Sequence, residues 1–400
     1  MIFANLQSVP PDPILGVTEA FNDDPSPQKV NLGVGVYLDE QGKLPLLACV
    51  RQAEQDLAGQ VRPRGYLPQT GLPAFDKAAQ EIVFGAGSEA VESGRVVTCQ
   101  ALAGTGALRV GAGLLYLADP VAHVWLSDPS WENHELLFTR AGFATERYRY
   151  YDAPNRRVDA DAMIDDLGRA PAGSIVVLHA CCHNPTGYDL SDAEWDSVAE
   201  VTAARQLVPF IDMAYQGFAR GVEQDRHAIE VFARQGLPFL VAQGFSKTFS
   251  LYGERIGAIH VVATDAGQAA RVASQIKTVV RSLYSNPPTQ GAAIVAAVLN
   301  DEDLRALWER ELAAMRDRVI GMRRAFRSGL EARGVAQDVS YMTAQTGLFS
   351  YSGLSTAQMR RLRSEFHVYG LDSGRLCMAG LNPGNVDYAA SAVAEVMIGG

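Results

Sequence analysis

"IVVLHACCHNPTGYDLSDAEWDSVAEVTAARQLVPFID", residues 175–212, decides the fold. Two short apolar runs, IVVLHA (175–180) and LVPFID (207–212), flank a segment of different period. Neither run alternates apolar with polar, so each predicts a strand buried on both faces. Between them, SDAEWDSVAEVTAARQ (191–206) opens on a serine with Glu194 three residues on, the capping-box signature of a helix start. Strand, helix, strand at this length is a parallel crossover unit. HVWLSD (123–128), FLVAQ (239–243) and GAIHVV (257–262) read as further buried strands. Residues from about 96 to 265 therefore predict a parallel α/β sheet with helices on both faces.

Outside that region the pattern changes. Leu304, Leu307, Trp308, Leu312, Met315, Val319, Met322, Phe326 and Leu330 recur every three or four residues, predicting one amphipathic helix of about 30 residues. Its arginines are interleaved with Glu309, Glu311 and Asp317, so the polar side reads as a solvated face and not a nucleic-acid stripe. TGLFSYSGLS (346–355) and GRLCMAGL (374–381) predict strands of a smaller α+β domain. The organisation expected is an arm over 1–14, a small domain over 15–45 and 310–400, and a large domain over 46–309.

The chain has 35 Lys and Arg against 45 Asp and Glu, a formal charge of −10, which argues against a nucleic-acid partner. Its five cysteines show no CxxC spacing, so neither a disulfide framework nor a metal site is expected. No apolar run approaches the roughly 20 residues that span a bilayer. The start, MIFANLQSVPPDPILG, has no basic segment followed by an apolar one. A cytoplasmic enzyme without membrane contact is the expectation.

Four stretches fall at the carboxyl ends of candidate strands, where α/β sheets place ligands. ALAGTGALRVGAG (101–113) offers Gly104, Thr105 and Gly106 at a helix start, an anion cradle or a plain turn. Arg109 stands where a dinucleotide fingerprint needs glycine. VPFIDMAYQG (208–217) ends an apolar strand on Asp212, either a cap or a carboxylate facing a cation, with Tyr215 three residues on. LHACCHNPTG (178–187) brings Asn184 to a strand end. GFSKTFSLYGERIG (244–257) delivers Lys247, a surface charge or a desolvated amine able to condense with carbonyls, and then Arg255, a planar fork for phosphate or carboxylate.

Taken together, these stretches resemble the pyridoxal-phosphate (PLP) aminotransferases of fold type I, and within them the aspartate and aromatic amino acid aminotransferases of subgroup Iα. GTGALRV, DPSWENH, CCHNPTG, DMAYQGFARG, SKTFSLYGERIG and YSNPP occur in that family's order, and the similarity runs almost end to end. The resemblance implies a large domain with a mostly parallel seven-stranded sheet and a smaller α+β domain. It implies that Lys247 bears the cofactor, that Asp212 pairs with the ring nitrogen, and that Tyr215 and Asn184 contact the ring's phenolic oxygen. Trp131 would stack on the ring, Ala214 would lie on its other face, and His134 would back Asp212. Gly104, Thr105, Arg255 and the partner subunit's Tyr66 would hold the phosphate of a homodimer's cofactor.

Arg375 would grip the substrate α-carboxylate, with Gly35, Trp131 and Asn184 around it, and Arg281, contributed across the dimer, would take a distal acid. Gly244 departs from the serine usual three residues before the lysine. The implied activity is transfer of an amino group from tyrosine or phenylalanine to 2-oxoglutarate, with aspartate also accepted. Leu38, Leu44 and Gly65 are less polar than the residues usual in aspartate-specific members, while Arg281 keeps an aspartate aminotransferase as the alternative. A non-catalytic PLP-binding module is a further alternative.

Overall fold

The computed structural model describes residues 2–8, 14–61, 63 and 65–399; residues 1 and 9–13 of the expected arm lie outside them. The chain divides into two compact units. One contains Leu44–Arg318 with Gln345–Gly347; the other contains Met1–Lys43, Val319–Ala344 and Leu348–Gly400. The divisions fall at 43/44 and 318/319, not at 45/46 and 309/310. The helix Glu302–Ala332 runs through the second of them unbroken, so its periodicity carries no mark of the change.

The first unit is built on seven strands: β1 (Val96–Leu102), β2 (His123–Asp128), β3 (Ala144–Arg149), β4 (Ile175–His179), β5 (Val208–Met213), β6 (Phe239–Gly244) and β7 (Ile256–Val262). Their order across the sheet is β1-β7-β6-β5-β4-β2-β3. All neighbouring pairs are parallel except the two made by β7, which runs antiparallel to β1 and to β6. This is the mostly parallel α/β sheet that the apolar runs predict. β4, β6 and β7 are buried at every position, as strands covered on both faces must be. One face packs around Leu178, Ile211, Val241, Trp195 and Phe232, the other around Val177, Phe210, Ala242, Leu108 and Phe138.

Register aligns the functional ends. His179 pairs with Asp212, Asp212 with Ala242, and Gly244 with Gly257. The crossover from β4 to β5 contains the helix Asp192–Ala204, and its Ser191–Glu194 capping box is formed as expected. The long helix contributes Trp308, whose buried ring stacks on Phe249 at 4.9 Å and whose Nε1 donates to the Thr248 carbonyl at 2.8 Å. Burying such a ring contributes about 1.5–3 kcal/mol, and a stacked pair about 0.5–1.5 kcal/mol more. That anchor lies one residue beyond Lys247.

In the second unit a parallel pair joins Val30–Asn31 to Val368–Tyr369, and an antiparallel pair joins Phe349–Tyr351 to Arg375–Cys377. Buried Arg323 donates to the carbonyls of Met342 and Phe349, which fixes the approach to the latter strand. Among the described residues no helix is long and apolar enough to cross a membrane.

Candidate active site

Asp212 is the penultimate residue of β5 and is only 7% exposed. Its Oδ2 accepts a hydrogen bond from His134 Nε2 at 2.9 Å. A carboxylate only accepts, so His134 carries a proton on Nε2 and turns Nδ1 toward Ser130 Oγ, 3.0 Å away. Trp131, at the start of the same helix, meets the His134 ring edge-on at 5.2 Å. His179 follows at 5.0 Å from His134, and His183 at 4.2 Å from His179.

Burial raises the Asp212 carboxyl, but the His134 hydrogen bond and the neighbouring charges, Lys247 among them, outweigh it and hold the group below the ordinary carboxylate range. Oδ1 is buried and has no hydrogen-bond partner among the described residues. An ionised oxygen in that condition is costly unless a donor meets it, so the strand end is built for a cationic N–H.

Lys247 follows β6 by three residues, and its Nζ lies 5.0 Å from the centroid of the Tyr215 ring. Phe245 and Phe249 on either side are buried, and Trp308 holds Thr248, so the amine is carried on a fixed backbone. Asn184 is 5% exposed, and its N–H donates to His179 Nδ1 at 3.5 Å. Gly104 and Thr105 occupy the first turn of the helix Ala103–Ala118, where amide N–H groups lack intrahelical acceptors. Arg255 is exposed and donates to the Tyr252 carbonyl at 3.0 Å and to Ser246 Oγ at 3.5 Å.

Gly244 lies against Gly104. A side-chain carbon added at 244 would sit 3.4 Å from the Gly104 amide nitrogen, an ordinary contact, so packing does not impose the glycine. Ser246, buried beside the lysine, is a hydroxyl that the sequence reading did not single out; its position next to Lys247 was the available signal. A cavity of about 680 Å³ opens beside this corner, lined by Thr105, Arg109, Arg255, Leu283, Tyr284 and Pro288. Arg281 is exposed and donates to Ser285 Oγ, and Tyr66 is 96% exposed.

In the other unit, Arg375 is 1% exposed. Its Nη2 donates to the Gly33 carbonyl at 2.9 Å, and its guanidinium lies 4.2 Å above the Phe349 ring. Gly35 gives that ring its space, since a side-chain carbon there would fall 2.6 Å from Phe349 Cζ. The five free cysteines are all buried, and burial pushes the Cys182 thiol up to about 11.

The buried histidines set an acid limit. Burial holds His260 near 3, and burial with repulsion from His134 holds His179 near 3. Burial also keeps His183 well below its ordinary value. In the unfolded chain each ring takes a proton near pH 6.5. The unfolded state therefore binds more protons below that pH, and stability falls on acidification, by up to about 1.4 kcal/mol per pH unit for each ring. Thermal unfolding midpoints are expected to drop steadily from pH 7 to pH 5; equal midpoints would show that the rings are charged or solvated in the native state.

The sequence profile of the family "Aminotransferase class I and II" matches residues 27–393. The chain belongs to this family. This aminotransferase is 50% identical over 396 residues to the aspartate aminotransferase of Pseudomonas aeruginosa, a match covering 99% of this chain and 100% of the relative. It is 47% identical over 399 residues to the aromatic-amino-acid aminotransferase of Escherichia coli strain K12, covering 99% and 100%. Among solved structures it is similar to the aromatic-amino-acid aminotransferase from Burkholderia pseudomallei covalently bound to pyridoxal phosphate. That match has a TM-score of 0.97 and 52% identity, covering 99% of this chain and 100% of the other.

The protein is a PLP-dependent transaminase of fold type I, acting on amino acids and 2-oxo acids. The strand ends fit that cofactor. Asp212 Oδ1 lacks the donor that a protonated pyridine nitrogen would supply, and the amide-rich helix start at Gly104 suits a phosphate.

Proposed function

We propose that this transaminase acts on tyrosine and phenylalanine with 2-oxoglutarate, and that it also accepts aspartate. Three positions carry the reading: Leu38, Leu44 and Gly65 are less polar than the residues usual in aspartate-specific members of the family. Leu44 and Leu46 expose 49% and 58% of their surface, and Leu38 is half-buried, where an aspartate-only enzyme has reason to be polar. Similarity to both aspartate and aromatic relatives, at 50% and 47% identity, agrees with a dual range. Arg281 supports the acidic donor, because its fork pairs with a carboxylate two-handed. The test is kcat/KM for tyrosine, phenylalanine and aspartate under one set of conditions. Aromatic donors are expected to equal or exceed aspartate; a hundredfold preference for aspartate would make this an aspartate aminotransferase.

In this reading Lys247, Asp212, Tyr215, Asn184 and Trp131 hold the cofactor ring, and Gly104, Thr105, Arg255 and the partner subunit's Tyr66 hold its phosphate in a cytoplasmic homodimer. When bound, PLP supplies an electron sink for the bond broken at the donor's Cα. The chain's own groups do the rest. Asp212, backed by His134, would keep a proton on the cofactor's ring nitrogen. Arg375, Gly35, Trp131 and Asn184 bind and orient the substrate around its α-carboxylate. Lys247 removes the Cα proton as general base. Water would supply the oxygen of the departing 2-oxo acid while the donor's amino group stayed with the cofactor, and the second half of the ping-pong cycle would pass that group to 2-oxoglutarate, releasing glutamate and water.

A further inference from the structure

Asp189 is a half-buried carboxylate to which none of the roles above is assigned. Its Oδ2 accepts the Cys182 N–H at 2.9 Å and the Thr346 hydroxyl at 2.6 Å, and its Oδ1 accepts the His183 N–H at 2.9 Å. The two amides belong to the residues just before Asn184. Cys182 holds φ +52°, a conformation that an L residue keeps only where its surroundings fix it.

Thr346 is tied to the same loop a second time, because its N–H donates to the Gly187 carbonyl at 2.7 Å. Gly347 follows at φ +69°, pressed so close that a side-chain carbon there would fall 2.4 Å from Cys182 Cβ. Residues 345–347 are counted with the large unit, although the residues on either side of them belong to the other. One carboxylate thus ties the Asn184 loop to residue 346 within the sheet-bearing unit. Three hydrogen bonds converge on this one carboxyl, where they oppose the burial that raises it above its ordinary range.

We propose that Asp189 is a positioning residue for transamination: with Thr346 it sets the backbone that carries Asn184. The proposal rests on the role given above to Asn184. Asp189 touches no reacting atom; it acts through Asn184.

The test uses holoenzyme with Thr346→Val, Thr346→Ser and Asp189→Asn. Three readouts are needed: the pH midpoint of the bound cofactor's visible absorption, KM and kcat for an amino donor, and the thermal unfolding midpoint. Thr346→Val is expected to shift the absorption midpoint by roughly half a pH unit or more and to raise KM about tenfold, with kcat changed less. Thr346→Ser, which keeps the hydroxyl, is expected to restore both values. Asp189→Asn is expected to move them further in the same directions, and the threonine pair carries the test if that variant fails to fold. A Thr346→Val enzyme with wild-type midpoint and KM but lowered thermal stability would overturn the proposal, as would a serine variant that restores nothing. Asn184→Ala serves as the control. If it leaves the absorption midpoint in place, the role of Asn184 itself is wrong, whatever the threonine variants do.

Discussion

Replacing Lys247 with alanine is expected to lower kcat/KM for every amino donor by at least about 10⁴-fold, because the proposed mechanism draws both the covalent attachment and the general base from this one side chain. The fold is expected to survive. The backbone around residue 247 is held by Trp308 on the Thr248 carbonyl and by the rings of Phe245 and Phe249, not by the lysine itself. Lys247→Arg separates charge from chemistry: it keeps a cation near Tyr215, but a guanidinium stays protonated at any working pH and cannot act as the base. Both variants are therefore expected to be inactive, with unfolding midpoints close to wild type. Activity of either within tenfold of wild type would remove Lys247 from the mechanism.

The second large effect belongs to Asp212. Asp212→Asn preserves size and one hydrogen-bond acceptor for His134 but removes the charge. A neutral amide no longer favours a proton on the nitrogen it faces, and kcat at saturating donor and cofactor is expected to fall on the order of 10³-fold. The fall should appear in kcat more than in KM, since the charge works on the developing transition state. Asp212→Ala is expected to lose as much and also to leave His134 Nε2 without its acceptor in a buried setting. A kcat for Asp212→Asn within threefold of wild type would mean that the carboxylate only caps the strand.

The two predictions draw on features of unequal visibility in the sequence. Strands β4, β5, β6 and β7 are buried on both faces, so each appears as an unbroken apolar run, and the polar residue that ends it stands out. Asp212 stands out in that way; Asn184 and Lys247 lie beyond the ends of their runs, and their expected roles rest on the family resemblance. β3 was not recognised because ATERYR lies at the sheet edge and keeps most of its positions partly or fully exposed. The reversed direction of β7 was legible in principle, since the connection from 244 to 256 contains no helix and is short for a parallel crossover. Asp189 was out of reach. In sequence it is one acidic residue before a helix cap, and its meaning comes from Thr346, 157 positions away.

The pairing of Val30 with Val368 has a consequence for the order in which the molecule is made. The second unit draws the two strands of this pair from opposite ends of the chain, so it cannot close until translation is nearly finished. The sheet-bearing unit has no such delay over its contiguous stretch from 44 to 318. Because domains tend to fold as they emerge, the lysine and its aspartate can be in place while the codon for Arg375 is still untranslated. Thr346 then arrives as one of the last pieces to reach the sheet-bearing unit, closing on a carboxylate laid down 157 residues earlier.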